Sequence, residues 1–148
     1  MLVQDIMRSN VRSVTPDTPL LEVSSLMCLY RLSGLPVAKD GKLLGFIAEK
    51  DVLGRLLPTL SDFRDGMHSV DYAAMEGQYR DVIHLKTADL MATRVITVRP
   101  DMQMIQAAAI MVRHNFRRIP VAIDDQLVGM VSMGDVHKAL FHANLAQR

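Results

Sequence analysis

The chain carries one unit written twice, at a constant offset of 84 residues and without a gap. Asp5-Ile6-Met7 returns as Asp89-Leu90-Met91, and Val14, Pro16 and Asp17 return as Val98, Pro100 and Asp101. Met27 matches Met111, and Pro36-Val37-Ala38 matches Pro120-Val121-Ala122. Asp40, Leu43 and Gly45 match Asp124, Leu127 and Gly129, and Asp51-Val52 closes the series against Asp135-Val136. A duplicated unit restricts the fold to architectures in which similar halves stack or share a core. Length sharpens this: 148 residues make one ordinary domain, and below roughly 70 residues a single core is marginal. Each half is therefore expected to need the other.

Both copies share one order of elements. A β-branched stretch (Val11 to Thr15; Val95 to Val98) reads as a first strand. Asp17 or Thr18, and Asp101 in the second copy, are candidate caps for the helix that follows, with Pro19 near its first position. Leu20, Val23, Met27 and Tyr30 then recur at helical spacing, as do Met104, Ala107, Met111 and His114. The first of these helices is expected to stop near Ser33-Gly34, with the glycine left-handed. Leu35 to Ala38 and Leu43 to Ala48 flank Asp40-Gly41, a hairpin signal. Ile119 to Ile123 and Leu127 to Ser132 flank Asp124-Asp125. A last helix starts near Glu49 or Met133. The unit is thus β-α-β-β-α, a mixed α and β (α+β) fold whose small sheet needs cover.

Composition narrows the functional classes. A net charge of +1, with no run of Lys and Arg, argues against a nucleic-acid surface. Apolar runs fall far short of the ~20 residues that span a bilayer, so no membrane partner is expected. A single cysteine, Cys28, and the lack of a charged start before an apolar stretch point to a reduced, cytoplasmic setting. The five histidines form no H-x-x-x-H pattern, and no nucleophile elbow or Cys–His pattern is present, so neither a metal site nor an enzyme is expected. The eleven methionines serve mainly as core filler where aromatics are scarce.

Taken together and in order, the repeated pieces resemble the tandem cystathionine-β-synthase-type (CBS) domain pair, or Bateman module. They are Asp-Ile/Leu-Met, Val-x-Pro-Asp, hydrophobe-Pro-Val, and Gly-hydrophobe-hydrophobe-x-x-x-Asp. The resemblance covers residues 3–56 and 88–142 and divides the chain into CBS unit 1 (1–56), a connecting segment (57–87) and CBS unit 2 (88–148). It implies two units packed about a pseudo-twofold axis, sheet against sheet, with clefts between them. It also implies homodimers, and ligands such as AMP, ADP, ATP or S-adenosylmethionine, with no cofactor required.

The same resemblance assigns roles within the second copy. Gly129-Met130-Val131-Ser132-Met133-Gly134-Asp135 follows the family pattern in full, so Ser132 would bind phosphate and Asp135 the ribose. Arg117 and Arg118 stand where basic groups meet phosphate, a task suited to guanidinium. Ile96, Val98 and Pro120 would line the base slot. The bland alternatives are a helix cap with its first-turn acid for Ser132 and Asp135, and a solvated edge for the arginines. The first copy keeps Asp51 but has Ala48 in place of the hydroxyl and Ser33-Gly34 in place of the arginines. Unequal sites are expected.

The connecting segment could form a helix capped by Ser69, with Tyr72, Met75, Tyr79 and Val82 on one face. It would serve as a partner contact or simply cover the rim of the module. The functional expectation is a regulatory module that senses an adenosine-containing molecule and passes a conformational change to a regulated protein. The alternative is a dimerising interaction scaffold with no bound nucleotide.

Overall fold

A computed structural model of the chain describes residues 1–57 and 71–146. The chain forms two compact units, and neither is simply one sequence repeat. One unit, here the first, comprises Ser13–Lys39 and Leu44–Arg94; the second comprises Met1–Arg12, Asp40–Leu43 and Val95–Arg148. The opening segment of each repeat thus belongs with the body of the other.

In the first unit, helix α2 (Leu20–Tyr30) leads into strand β1 (Gly34–Lys39), the part of strand β2 (Lys42–Ala48) from Leu44 onward, then helix α3 (Glu49–Leu56). The described part of the connecting segment supplies the short helices α4 (Tyr72–Gly77) and α5 (Tyr79–Val82), and the second repeat's first turn is α6 (Thr87–Leu90). In the second unit the order is α1 (Val3–Ile6), α7 (Met104–His114), β3 (Arg118–Ile123), β4 (Gln126–Ser132) and α8 (Met133–Leu145).

Each core follows the apolar spacing of its repeat. Leu20, Val23 and Met27 of α2 are buried against Leu35, Val37, Ile47 and Val52. Met104, Ala107 and Met111 of α7 are buried against Ile119, Val121, Val131 and Val136. Tyr30, the fourth residue of the first spacing, is 47% exposed because the helix ends there.

The β1–β2 connection is the Asp40-Gly41 hairpin expected from sequence. Both residues have positive φ (54° and 83°), as a type I′ turn demands. Lys42, next to that turn, pairs antiparallel with Gln126 inside the second unit. Strands β3 and β4 are antiparallel from Arg118 opposite Ser132 to Ile123 opposite Gln126, with an irregularity between Val121 and Ala122.

Three local expectations are corrected. The first strands shrink to single parallel bridges, Val14 with Val37 and Val98 with Val121. The ladder stops because the residue before each partner is a proline, Pro36 or Pro120, with no N–H to donate. The helix caps differ too. The N-cap residues of α2 and α7 are Pro19 and Gln103, and neither makes a side-chain cap bond. Backbone carbonyls take over: Leu20 and Leu21 N–H donate to Leu85 and Ile83 at 2.9 and 3.0 Å, and Met104 N–H donates to Met1 at 3.0 Å. Asp17 instead faces Lys86, Thr18 accepts from Thr15 N–H, and Asp101 accepts from Arg99. The left-handed residue ending α2 is Arg31 (φ 51°), not Gly34; its counterpart is Asn115 (φ 57°).

Among its described residues the connecting segment forms two short helices broken at Gln78, immediately after Gly77. Asp71 caps the first by accepting from Ala74 N–H at 3.1 Å. Ser69, the expected cap, lies outside the described residues. Val82 is 5% exposed and joins the core of the first unit. Among the described residues no helix is long and apolar enough to cross a membrane.

The Asp-Ile/Leu-Met pieces now have physical reasons. Asp5 and Asp89 accept the backbone N–H of Leu2 and Lys86 at the starts of α1 and α6 (2.8 and 2.9 Å). Met7 and Met91 then lie against Gly129 and Gly45. The next backbone step pairs with a strand: Arg8 with Met130, and Ala92 with Phe46.

Candidate functional site

The site of the second unit is built where β4 hands over to α8. Ser132 is the N-cap, in extended conformation (φ −113°, ψ 160°). Its Oγ accepts from Asp135 N–H at 3.0 Å, and its own N–H donates to Asp135 Oδ2 at 3.0 Å. This reciprocal box satisfies backbone donors at the helix start. The cap reading of these two residues is therefore realised in the structure. The hydroxyl hydrogen of Ser132 and the second carboxylate oxygen take no part in the box.

That second oxygen meets a residue the sequence reading missed. Arg8 Nη2 stands 3.6 Å from Asp135 Oδ1. The arginine side chain is 79% exposed, whereas the carboxylate is 16% exposed. Arg8 is held beside β4 by its backbone: its N–H donates to Met130 at 2.8 Å, and Met130 N–H donates back at 2.9 Å. No spacing rule within a repeat pairs residues 8 and 135, because residue 8 belongs to the opposite copy. The signal lies in the exchange of opening segments, which sequence alone does not display.

The other expected residues are placed as follows. Arg118 sits opposite Ser132 in the β3–β4 register. The Arg117 carbonyl accepts from Met133 N–H at 2.9 Å, tying the chain before β3 to the first residue of α8. Both arginines are exposed. Pro120 is buried opposite Met130. Ile96 is 37% exposed, but Val98 is 1% exposed and packs in the core, so its side chain is not on an open wall.

The corresponding place in the first unit keeps the geometry and loses the chemistry. Ala48 caps α3 with nearly the same backbone (φ −121°, ψ 161°) but has no hydroxyl. Asp51 Oδ2 still accepts from Ala48 N–H at 2.8 Å. Glu49 N–H donates to the Ser33 carbonyl at 2.9 Å, mirroring Met133 and Arg117. Gly34 stands where the second unit has Arg118, and the ring of Phe46 occupies the space a side chain there would need. Ala92 stands in the place of Arg8. Charge and hydroxyl are thus missing at four matched positions.

Comparison with known proteins identifies the family. The family model for the CBS domain matches residues 3–58 and 88–142. An uncharacterised protein of Methanocaldococcus jannaschii, MJ1426, is 34% identical over 154 aligned residues, covering 95% of this chain and 91% of that one. The CBS domain-containing protein YhcV of Bacillus subtilis is 28% identical, with 90% and 81% covered. The crystal structure of CBSX2 in complex with AMP superposes with a TM-score of 0.74 at 26% identity, covering 97% of this chain and 98% of that one. The chain belongs to the CBS domain family and carries that domain twice.

Proposed function

We propose that this chain is a non-enzymatic regulatory module that binds an adenosine-containing small molecule where β4 meets α8 in the second unit. The observation that carries the reading is the conjunction of Ser132, Asp135 and Arg8 at the start of a 13-residue helix. A carboxylate can accept ribose hydroxyls, and a helix start with a hydroxyl and guanidinium groups favours phosphate. The fold similarity to CBSX2, which binds AMP, supports the ligand class. Arg117 and Arg118 supply further positive charge toward a phosphate, and Pro120, Ile96 and the backbone near Val98 flank the base. Asp51 marks the weaker site of the first unit. AMP, ADP, ATP and S-adenosylmethionine are the candidate ligands, and binding biases a conformational equilibrium that a regulated cytoplasmic protein reads. A ligand shifts such an equilibrium only by its differential affinity for the two states.

Calorimetric titration with those four compounds tests the reading. Binding by at least one, weakened at least tenfold by Asp135→Ala, supports it. No heat from any of them at millimolar concentration sinks it.

One observation favours the second reading, a dimerising scaffold. Ile105 and Val112 on α7 and Phe141 on α8 are apolar yet 54%, 64% and 56% exposed. Exposed apolar side chains of this size suit a homodimer contact. That reading expects a dimer in sedimentation and partner binding that survives both Asp135→Ala and Arg118→Ala.

A further inference from the structure

We propose that Arg8 makes the second unit's site selective for phosphate-bearing adenosyl ligands over neutral or cationic ones. The inference rests on the ligand reading above and adds a specificity-determining residue to it.

The argument starts from the two oxygens of Asp135. Oδ2 is committed to the Ser132 N–H at 3.0 Å, so ribose hydroxyls must be accepted largely by Oδ1. Oδ1 is the oxygen that faces Arg8 at 3.6 Å. A diol approaching it competes with the guanidinium for the same lone pairs. Arg8 can yield: its side chain is 79% exposed, and an ion pair of this length with one solvated partner is weak. Its backbone cannot follow, because two hydrogen bonds to Met130 hold it beside β4. The displaced head therefore stays within reach of the site, where it can pair with a new anion.

A 5′-phosphate supplies one, with the bidentate geometry guanidinium prefers. Adenosine supplies none, so its binding loses the ion pair without replacement. S-adenosylmethionine brings a sulfonium at the 5′ position, next to the cation it has displaced. The first unit is the internal contrast, since Asp51 is matched there with Ala92 and not with an arginine.

The test is calorimetric titration of the full chain with AMP and with adenosine, in wild type, Arg8→Ala, Arg8→Lys and Asp135→Ala. Arg8→Ala truncates an exposed side chain and leaves its backbone pairing intact, so the variant folds. A charge-assisted contact corresponds to about a tenfold change in affinity. The expected result is that Arg8→Ala lowers the preference for AMP over adenosine by about that factor, through weaker AMP binding, while adenosine is unchanged or tighter. Arg8→Lys retains part of the preference. Unaltered AMP affinity or an unaltered preference in Arg8→Ala, with wild type still binding, overturns the role of Arg8 and leaves the ligand reading standing. Failure of wild type to bind either compound, or AMP binding undiminished in Asp135→Ala, overturns both.

Discussion

Two glycines of the second unit, Gly129 in β4 and Gly134 in the first turn of α8, should respond in opposite directions to the same substitution. Both changes, to alanine, restrict the unfolded chain equally, by about 0.4–1 kcal/mol in favour of alanine. Neither glycine has a positive φ, so backbone strain does not separate them. What separates them is space. A Cβ on Gly134 meets only Ser132 Oγ, at 3.7 Å, an ordinary contact. A Cβ on Gly129 falls 2.9 Å from the Arg8 carbonyl oxygen and 2.8 Å from Met7 Sδ. The thioether can swing aside, but the carbonyl is pinned, because it accepts from Met130 N–H at 2.9 Å. Restoring a contact of 3.4 Å requires the Arg8 backbone to retreat by 3.4 − 2.9 = 0.5 Å, at the expense of its hydrogen bonds to Met130. Overpacking of this kind costs roughly 1–3 kcal/mol. Helix propensity and the unfolded-state effect should make Gly134→Ala more stable by about 0.5–1 kcal/mol. The unfolded-state effect is common to both, so the two variants should differ mainly by the overpacking cost, roughly 1–3 kcal/mol, read as a difference in urea midpoint at a common m value. A Gly129→Ala protein as stable as Gly134→Ala, with unchanged m, would refute the close-approach argument.

Two further substitutions test the local chemistry. Ala48→Ser gives α3 the hydroxyl that Ser132 gives α8, on nearly the same backbone; it should raise stability by about 0.5–1 kcal/mol in urea unfolding, and a loss of stability would refute the equivalence of the two caps. Arg31→Gly removes the left-handed penalty at φ 51° and should stabilise by about 1 kcal/mol; a lowered melting temperature would show that the arginine makes a contact worth more than its strain.

The repeat was fully legible in the sequence, and with it the two helices, the two hairpins and the start of each last helix, because these depend on local spacing and on turn residues such as Asp40-Gly41. The caps of α2 and α7 were not legible. Their donors are satisfied by the carbonyls of Leu85, Ile83 and Met1, which are distant in sequence from Leu20, Leu21 and Met104. The side-chain caps proposed from Asp17, Thr18 and Asp101 were plausible local chemistry overridden by these longer-range bonds. The first strands were overestimated for a similar reason, since β-branched residues can extend only as far as their partners have N–H groups, and Pro36 and Pro120 end the ladder. At the site, Ser132, Asp135 and Asp51 were readable as motif positions. Arg8 was not, because its partner lies 127 residues away by the arithmetic 135 − 8.

The exchange of opening segments decides which of two copies with one backbone receives the Arg8 guanidinium. If each repeat packed only with itself, Arg8 would lie beside Phe46 and Asp51, and Ala92 beside Met130 and Asp135. The observed pairing crosses them, so Arg8 joins the copy that already has Ser132 and the arginine pair, and Ala92 joins the copy that has Ala48 and Gly34. All four polar or charged groups collect in one unit. The glycines 45 and 129 are what permit the crossing, since each leaves room for the neighbouring backbone of Ala92 or Arg8. Placing an arginine at position 92 should therefore act on Asp51 and leave Asp135 untouched. It is the exchange, and not the repeat register alone, that determines which site any change in the opening segments reaches.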